Sequence, residues 1–106
     1  MATTNQVSRE FYLEPIYEHK ASYYKKAVVK TMANGDILFY SYGTLICFIK
    51  GTKIYFTYAW DYSATTLRHV KEFLSQYFTE LKNAGKKDIE KYIKENEAYA
   101  EHGYFQ

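Results

Sequence analysis

The segment from Asp61 to Leu74, DYSATTLRHVKEFL, gathers side chains that could bind an anion. Three hydroxyl residues are followed by an arginine and a histidine: Ser63, Thr65, Thr66, Arg68 and His69. If a helix begins here, its first backbone N–H groups lack intrahelical acceptors and form the positive end of the helix dipole. Such an end, with hydroxyls, a charged arginine donor and an imidazole, suits a phosphate or a carboxylate. These five residues are the candidate binding site.

The same segment also has a purely structural interpretation. A Ser, Thr or Asp side chain just before a helix caps it by accepting from an orphan N–H group. Four residues could serve as this cap: Asp61, Ser63, Thr65 and Thr66. The remaining hydroxyls would then satisfy the corner between strand and helix. On a helical wheel Thr65 and His69 lie outside the apolar stripe and Arg68 points outward, as an ordinary surface residue would. The sequence leaves both interpretations open.

The residues before this segment predict a four-stranded antiparallel β-meander over residues 22–60. Its strands are SYYKKAVVKTM, ILFYSY, TLICFIK and IYFTYAW. Asn34-Gly35 between the first two indicates a hairpin with a type I′ turn, and Lys50–Lys53 makes a second tight turn. Residues 1–10 are polar and aperiodic, so we predict disorder there. Phe11–Ala21, broken by Pro15, is predicted to be an ordered lead-in.

The alternation of side chains along these strands predicts which face is buried. In the last strand the core-facing residues are Ile54, Phe56, Tyr58 and Trp60. TLICFIK is apolar on both faces, as expected of a central strand covered on both sides. We therefore expect cover on the outer face of the sheet, beyond a single helix layer.

After Trp60 the apolar period changes from two to 3.6, which predicts two helices, at residues 64–82 and 88–101. The apolar stripe of the first helix comprises Leu67, Val70, Phe73, Leu74, Tyr77, Phe78 and Leu81. Gly85 is predicted to follow the end of the first helix, and Asp88 to cap the second. The fold class is therefore α+β, with both helices packed on one face of the sheet.

Length and composition limit the classes of protein. With 106 residues the chain forms one domain, 1–106, and its net charge of +2 gives no strong attraction to nucleic acid or to anionic membranes. The single cysteine, Cys47, suits a reducing compartment. Neither a membrane-spanning segment nor a secretory signal is recognisable, so the cytoplasm is expected. Thirteen tyrosines are unusual and point to a packed sheet or to an interface.

Other reactive side chains give weaker patterns. Glu14, Glu18 and His19 lie close together in sequence, but their spacing is not that of a metal site. Cys47 lies within an apolar strand, as a small buried hydrophobe would. No phosphate-binding glycine loop or nucleophile elbow occurs. We therefore predict no catalytic residue, metal or cofactor, and a protein that is not an enzyme; an enzyme using Arg68 and His69 on a phosphoryl or acyl substrate is the minor alternative.

Three stretches resemble a family of small uncharacterised bacteriophage proteins. They are SYGT at Ser41–Thr44, GTKIYFT at Gly51–Thr57 and YSATTLRHVKEFL at Tyr62–Leu74. The family pattern is Tyr-Ser-x-Thr-Thr-x-x-His-x-x-x-Phe-Leu after a strand pair, with an arginine commonly before the histidine. The resemblance covers residues 37–75 and implies a phage origin and the cytoplasm of a bacterial host. It implies no activity.

Two functions fit these observations. The first is a non-enzymatic interaction protein that binds and inhibits a host protein, for example a defence protein such as a CRISPR component. The second is a nucleic-acid or nucleotide binder, in which tyrosines of the sheet stack on bases. Its phosphate contacts would come from Lys25, Lys26, Lys30, Arg68 and Lys71.

Overall fold

The computed structural model describes residues 6–14, 16 and 26–104 of the chain. Five strands, β1 to β5, span Val7–Tyr12, Ala27–Met32, Ile37–Ser41, Thr44–Lys50 and Lys53–Phe56. Two helices follow, α1 at Ala64–Tyr77 and α2 at Lys86–Asn96, with short 3-10 turns at Tyr58–Asp61 and Thr79–Leu81. The strands form one antiparallel meander in chain order. The predicted α+β class, with two helices after the sheet, is confirmed.

The sheet has five strands, not the predicted four, because β1 pairs with β2 along its whole length. This strand lies where we predicted disorder over residues 1–10 and the start of a lead-in. Five of its six residues are exposed, so its sequence carries no apolar alternation. Backbone pairing holds it instead, with Phe11 packed on the core and the Ser8 hydroxyl donating to the Thr31 carbonyl at 3.1 Å. Most of the rest of the lead-in lies outside the described residues.

The β2–β3 hairpin forms where Asn34-Gly35 predicted it, but with a different turn. Of the two residues, Asn34 and Gly35, only Gly35 has a positive φ, at 96°. Its N–H donates to the Met32 carbonyl at 2.9 Å. The loop therefore has three residues, a type I turn followed by a left-handed glycine, and not the predicted type I′ turn. The predicted turn at Lys50–Lys53 is confirmed, with Gly51 at a φ of 63°.

The inner face of the sheet packs on both helices in one apolar core. From α1 the core takes Val70, Phe73 and Leu74, all fully buried, and from α2 it takes Ile89. Phe39 of β3 stacks on Phe73 with ring centroids 4.6 Å apart. These α1 residues belong to the predicted stripe, so the tertiary structure uses the helical face that the sequence indicated.

The helix boundaries differ from the predicted 64–82 and 88–101. Phe78, at φ −139° and ψ 76°, ends α1 after Tyr77, and the chain turns through Thr79–Leu81. Gly85 is the N-cap of α2 rather than a residue closing α1. Asp88 lies in the first turn of α2 and accepts from the Gly85 N–H at 3.0 Å. The left-handed Glu97 ends α2 at Asn96.

Residues 97–104, here called the C-terminal strap, supply the cover that we expected on the outer face. Phe56 of β5 donates its N–H to Ala98, and the Ala100 N–H donates to Phe56, each at 2.8 Å. Further along the strap, the Tyr104 ring packs edge-on against Phe48, with ring centroids 5.2 Å apart. The strap thus explains why β4 is apolar on both faces.

A polar cluster at Asp36 fixes the end of the strap. Oδ2 of this carboxylate accepts from Tyr104 at 2.6 Å, from the Lys50 ammonium at 2.9 Å and from the Asn34 amide at 3.1 Å. Burial alone would raise the pKa of Asp36, but these hydrogen bonds outweigh it and hold the pKa below its usual value. The Asp36 carboxylate raises the pKa of Lys50, and burial with the same carboxylate raises that of Tyr104.

Candidate functional site

A pocket of about 530 Å³ opens between the β3–β4 turn, the Tyr58–Asp61 turn and the start of α1. Its lining combines five hydroxyl residues, three tyrosines and two apolar side chains: Ser41, Thr44, Ser63, Thr65, Thr66, Tyr42, Tyr58, Tyr62, Ile46 and Ala59. The volume lies in the range of small-molecule sites. Three of the five predicted site residues, Ser63, Thr65 and Thr66, therefore meet at one pocket.

The β3–β4 turn forms one wall through an unusual backbone conformation. Tyr42 and Gly43 occupy its two central positions, with φ values of 52° and 80°. Both residues are in the left-handed region, as a type I′ turn requires, and for a tyrosine this conformation is rare. The turn leaves the Tyr42 side chain 54% exposed at the pocket mouth.

The second wall arises because the chain leaves the sheet at Thr57. Its hydroxyl donates to the Leu45 carbonyl at 2.7 Å and accepts from the Ala59 N–H at 3.3 Å. These contacts turn the chain into the 3-10 segment, so β5 ends at Phe56 and not at Trp60 as predicted. Trp60 is still buried, but Tyr58, predicted to face the core, is 70% exposed.

The start of α1 forms the third wall, and Ser63 is its cap. The Ser63 hydroxyl accepts from the Thr66 N–H at 3.1 Å. The same hydroxyl donates to the Thr66 hydroxyl oxygen, also at 3.1 Å. The capping interpretation of this segment is therefore confirmed for Ser63. Asp61 instead ends the 3-10 turn, with its carboxylate 3.8 Å from the Lys86 ammonium. Thr65 is half-buried and lines the pocket.

Replacing the cap tests this local structure. We expect Ser63→Ala to lower the free energy of unfolding by about 1 kcal/mol, because the Thr66 N–H loses its acceptor. Chemical denaturation measures the loss, and Ser63→Asp, which keeps an acceptor, is the matched control and should retain most of the stability. Equal losses in both variants would contradict the capping role.

The two other predicted site residues do not line the pocket. His69 is fully buried, although the helical wheel placed it outside the apolar stripe. It lies behind the β3–β4 turn, where Nδ1 is 2.8 Å from the Ser41 hydroxyl and the ring stacks on Tyr42 with centroids 5.8 Å apart. Arg68 is half-buried on α1. His69 therefore contacts two residues that line the pocket, Ser41 and Tyr42, and supports them from the interior.

Sequence reasoning missed the three exposed tyrosines at the pocket mouth, here called the tyrosine rim. They are Tyr42, Tyr58 and Tyr62, which are 54%, 70% and 83% exposed. A signal for Tyr42 was present, because Tyr-Gly between two apolar runs fits a tight hairpin. Tyr58 offered no such signal, since strand alternation placed it in the core.

The remaining reactive residues form no second site in the part of the chain that the structure describes. Cys47 is fully buried, and burial raises the pKa of its thiol far above the usual value, so the reactive thiolate is suppressed. Glu18 and His19 lie outside the described residues, while the Glu14 carbonyl accepts from Gln76. Over residues 6–14, 16 and 26–104 no group of three metal-ligating side chains comes together, and no helix is long and apolar enough to span a membrane.

Comparison with known proteins identifies the family but not an activity. Residues 11–99 match the profile of DUF8033, a family of unknown function, and the chain belongs to this family. No curated protein matches the chain. No solved structure matches it either.

Proposed function

We propose that this member of DUF8033 is a non-enzymatic, phage-encoded interaction protein that binds and inhibits a protein of the bacterial host. The observation that carries the proposal is the tyrosine rim. Tyrosine is enriched at protein interfaces because its ring offers a large contact area while its hydroxyl keeps a polar partner. Three such side chains, each more than half exposed, surround a single pocket.

The geometry of the rim suits a binding hot spot. Hot spots combine aromatic anchors with a pocket from which water is excluded on binding. The Tyr42 ring has two contacts that restrain it: it stacks on His69 with centroids 5.8 Å apart, and the Lys26 ammonium lies 5.5 Å from its centroid. A side chain that is already ordered loses little conformational entropy when a partner binds. The rim therefore offers one rigid anchor next to two more exposed ones.

The phage origin and the host target rest on the resemblance of the Tyr62–Leu74 segment to phage proteins. A small phage protein that acts by binding, in the cytoplasm of the host, needs a recognition surface and no catalytic machinery. Host-defence proteins, including CRISPR components, are the proposed class of target. Inhibition would follow from occupation of a surface that the target needs for its own activity.

A binding assay with paired variants tests this function. We expect the tagged chain to form a stoichiometric complex with a host protein, and Tyr58→Ser/Tyr62→Ser to weaken it at least about 30-fold, since an aromatic hot spot contributes about 2 kcal/mol or more. Tyr12→Ser is the matched control, because Tyr12 on β1 is also 54% exposed and does not line the pocket.

Two results would contradict the proposal. One is capture of no host protein above background by the wild-type chain. The other is equal affinity of the wild type and the rim variant for the captured protein, with both variants folded by circular dichroism. A purified complex then allows the target's own activity to be measured with and without the chain, which tests inhibition separately from binding.

Nucleic-acid binding by the outer face of the sheet is the second candidate function. Lysine ammonium groups lie over two tyrosine rings of this face, Lys30 over Tyr40 at 4.4 Å and Lys53 over Tyr55 at 4.8 Å. Aromatic rings next to cations suit single-stranded nucleic acid, and binding of this kind weakens strongly with salt. A mobility assay with single-stranded probes tests it, and absence of a salt-sensitive complex would exclude it.

A further inference from the structure

We infer that the pocket inside the tyrosine rim is a small-molecule site for an uncharged planar ring with hydrogen-bonding edges, of the nucleoside class. This inference does not depend on a protein partner. It starts from the volume of about 530 Å³, which exceeds the gaps of ordinary core packing and lies in the range of ligand sites.

The pocket is lined by two kinds of polar side chain, tyrosine rings and Ser or Thr hydroxyls, and each kind matches one part of such a ligand. The three rings of the tyrosine rim provide π-faces on which a planar base can stack. Five Ser and Thr residues lie around them; the Ser41, Ser63 and Thr66 hydroxyls take part in hydrogen bonds within the protein, and the Thr44 and Thr65 hydroxyls can each donate and accept. The edges of a nucleobase and the hydroxyls of a ribose carry both donors and acceptors, so such a mixed surface complements them.

The charge of the lining favours an uncharged ligand. Among residues 6–14, 16 and 26–104, no acidic or basic side chain lines the pocket, and Arg68 of the predicted anion site is not part of its wall. The Lys26 ammonium lies 5.5 Å from the Tyr42 ring centroid, at the rim, but Lys26 is not among the lining residues. A ring system without a charge is thus the better match for the interior, and any phosphate would lie at the mouth.

Two features keep the pocket in this shape without a ligand. The Ser41 hydroxyl and the fully buried His69 are 2.8 Å apart, which fixes the base of the β3–β4 turn. The Ser63 cap fixes the first turn of α1, with Thr66 almost fully buried beside it. A site that is already formed loses less free energy on binding than one that must be ordered.

Calorimetric titration of the full chain with adenosine, guanosine, cytidine and uridine tests the inference. We expect at least one nucleoside to bind with 1:1 stoichiometry and a Kd below about 1 mM, a range usual for a small ligand held by stacking and a few hydrogen bonds. Tyr58→Ser/Tyr62→Ser should weaken this binding about tenfold or more, because two stacking faces are lost. Thr65→Val, which removes one hydroxyl while keeping the shape, should weaken it by a smaller factor.

The controls separate this pocket from other surfaces. Tyr12→Ser should bind the nucleoside as the wild type does, and circular dichroism verifies that all variants are folded. A saturable nucleoside signal that only the pocket variants lose supports the inference. Two results would overturn it: no saturable binding of any of the four nucleosides, or equal binding by the wild type and the pocket variants. Because the titration uses no host protein, its outcome is independent of the partner assay.

Discussion

Asp36→Ala is expected to lower the free energy of unfolding by about 3 kcal/mol and to release the C-terminal strap. The substitution leaves three donors without their shared acceptor, including a partly buried ammonium, and removal of one member of such a cluster is strongly destabilising. Urea denaturation measures the stability, and hydrogen exchange at the Phe56 and Ala100 amides, which form the two hydrogen bonds between β5 and the strap, reports whether the strap is released.

Tyr104→Phe is the matched control for this prediction. It keeps the ring that packs on Phe48 and removes only the hydroxyl that donates to Asp36. We expect a loss of about 1.5 kcal/mol, the usual value for one hydrogen bond to a charged group. An Asp36→Ala variant that is as stable as the wild type, with the Phe56 and Ala100 amides still protected, would show that the cluster does not hold the strap.

The same cluster predicts how stability depends on pH. The folded-state pKa of Asp36 lies below its unfolded value of about 4, so its stabilising contribution is complete above about pH 5. That contribution is lost as the pH falls through the folded-state pKa. Lys50 and Tyr104 have raised pKa values, so their contributions are complete below about pH 10 and are lost as the pH rises further. Asp36→Asn should reduce the loss in acid, and denaturation at several pH values checks it.

His69→Ala is the second substitution with a large expected effect, about 3 kcal/mol of stability. It removes a fully buried ring from behind the β3–β4 turn and deprives the Ser41 hydroxyl of its imidazole partner. Arg68→Ala, one residue earlier on the same helix, should cost less than about 1 kcal/mol, because Arg68 is only half-buried. Thermal and chemical denaturation compare the two variants.

This pair also decides between the two interpretations of the sequence segment at Asp61–Leu74. A large loss of stability in His69→Ala, with Arg68→Ala close to the wild type, makes His69 a support of the pocket rather than a ligand-contacting residue. The opposite pattern, in which both variants remain stable and both lose partner binding, would restore the anion site that the sequence suggested. Measuring binding and stability on the same preparations keeps the two readouts comparable.

Local signals in the sequence determined the elements that depend on neighbouring residues. Apolar runs bounded by turn residues predicted β2 to β4, and the 3.6-residue stripe predicted the buried face of α1. The polar residues before that stripe predicted a cap, and of the four candidates the structure uses Ser63. Each depends on interactions within a few residues, which propensity and periodicity report directly. The sequence also indicated that both faces of β4 are covered, because its apolar residues do not alternate.

Only the tertiary structure decided the features that depend on contacts between distant parts of the chain. The edge strand β1 is held by pairing with β2, and most of its side chains are exposed, so its residue pattern alone does not predict a strand. Thr57 ends β5 early by binding a carbonyl of β4, which sends Tyr58 to the surface and makes the tyrosine rim. His69 is buried because the β3–β4 turn packs over it, against its position on the helical wheel. In each case a contact between residues far apart in sequence overrides the local pattern, and the pocket is the product of those contacts.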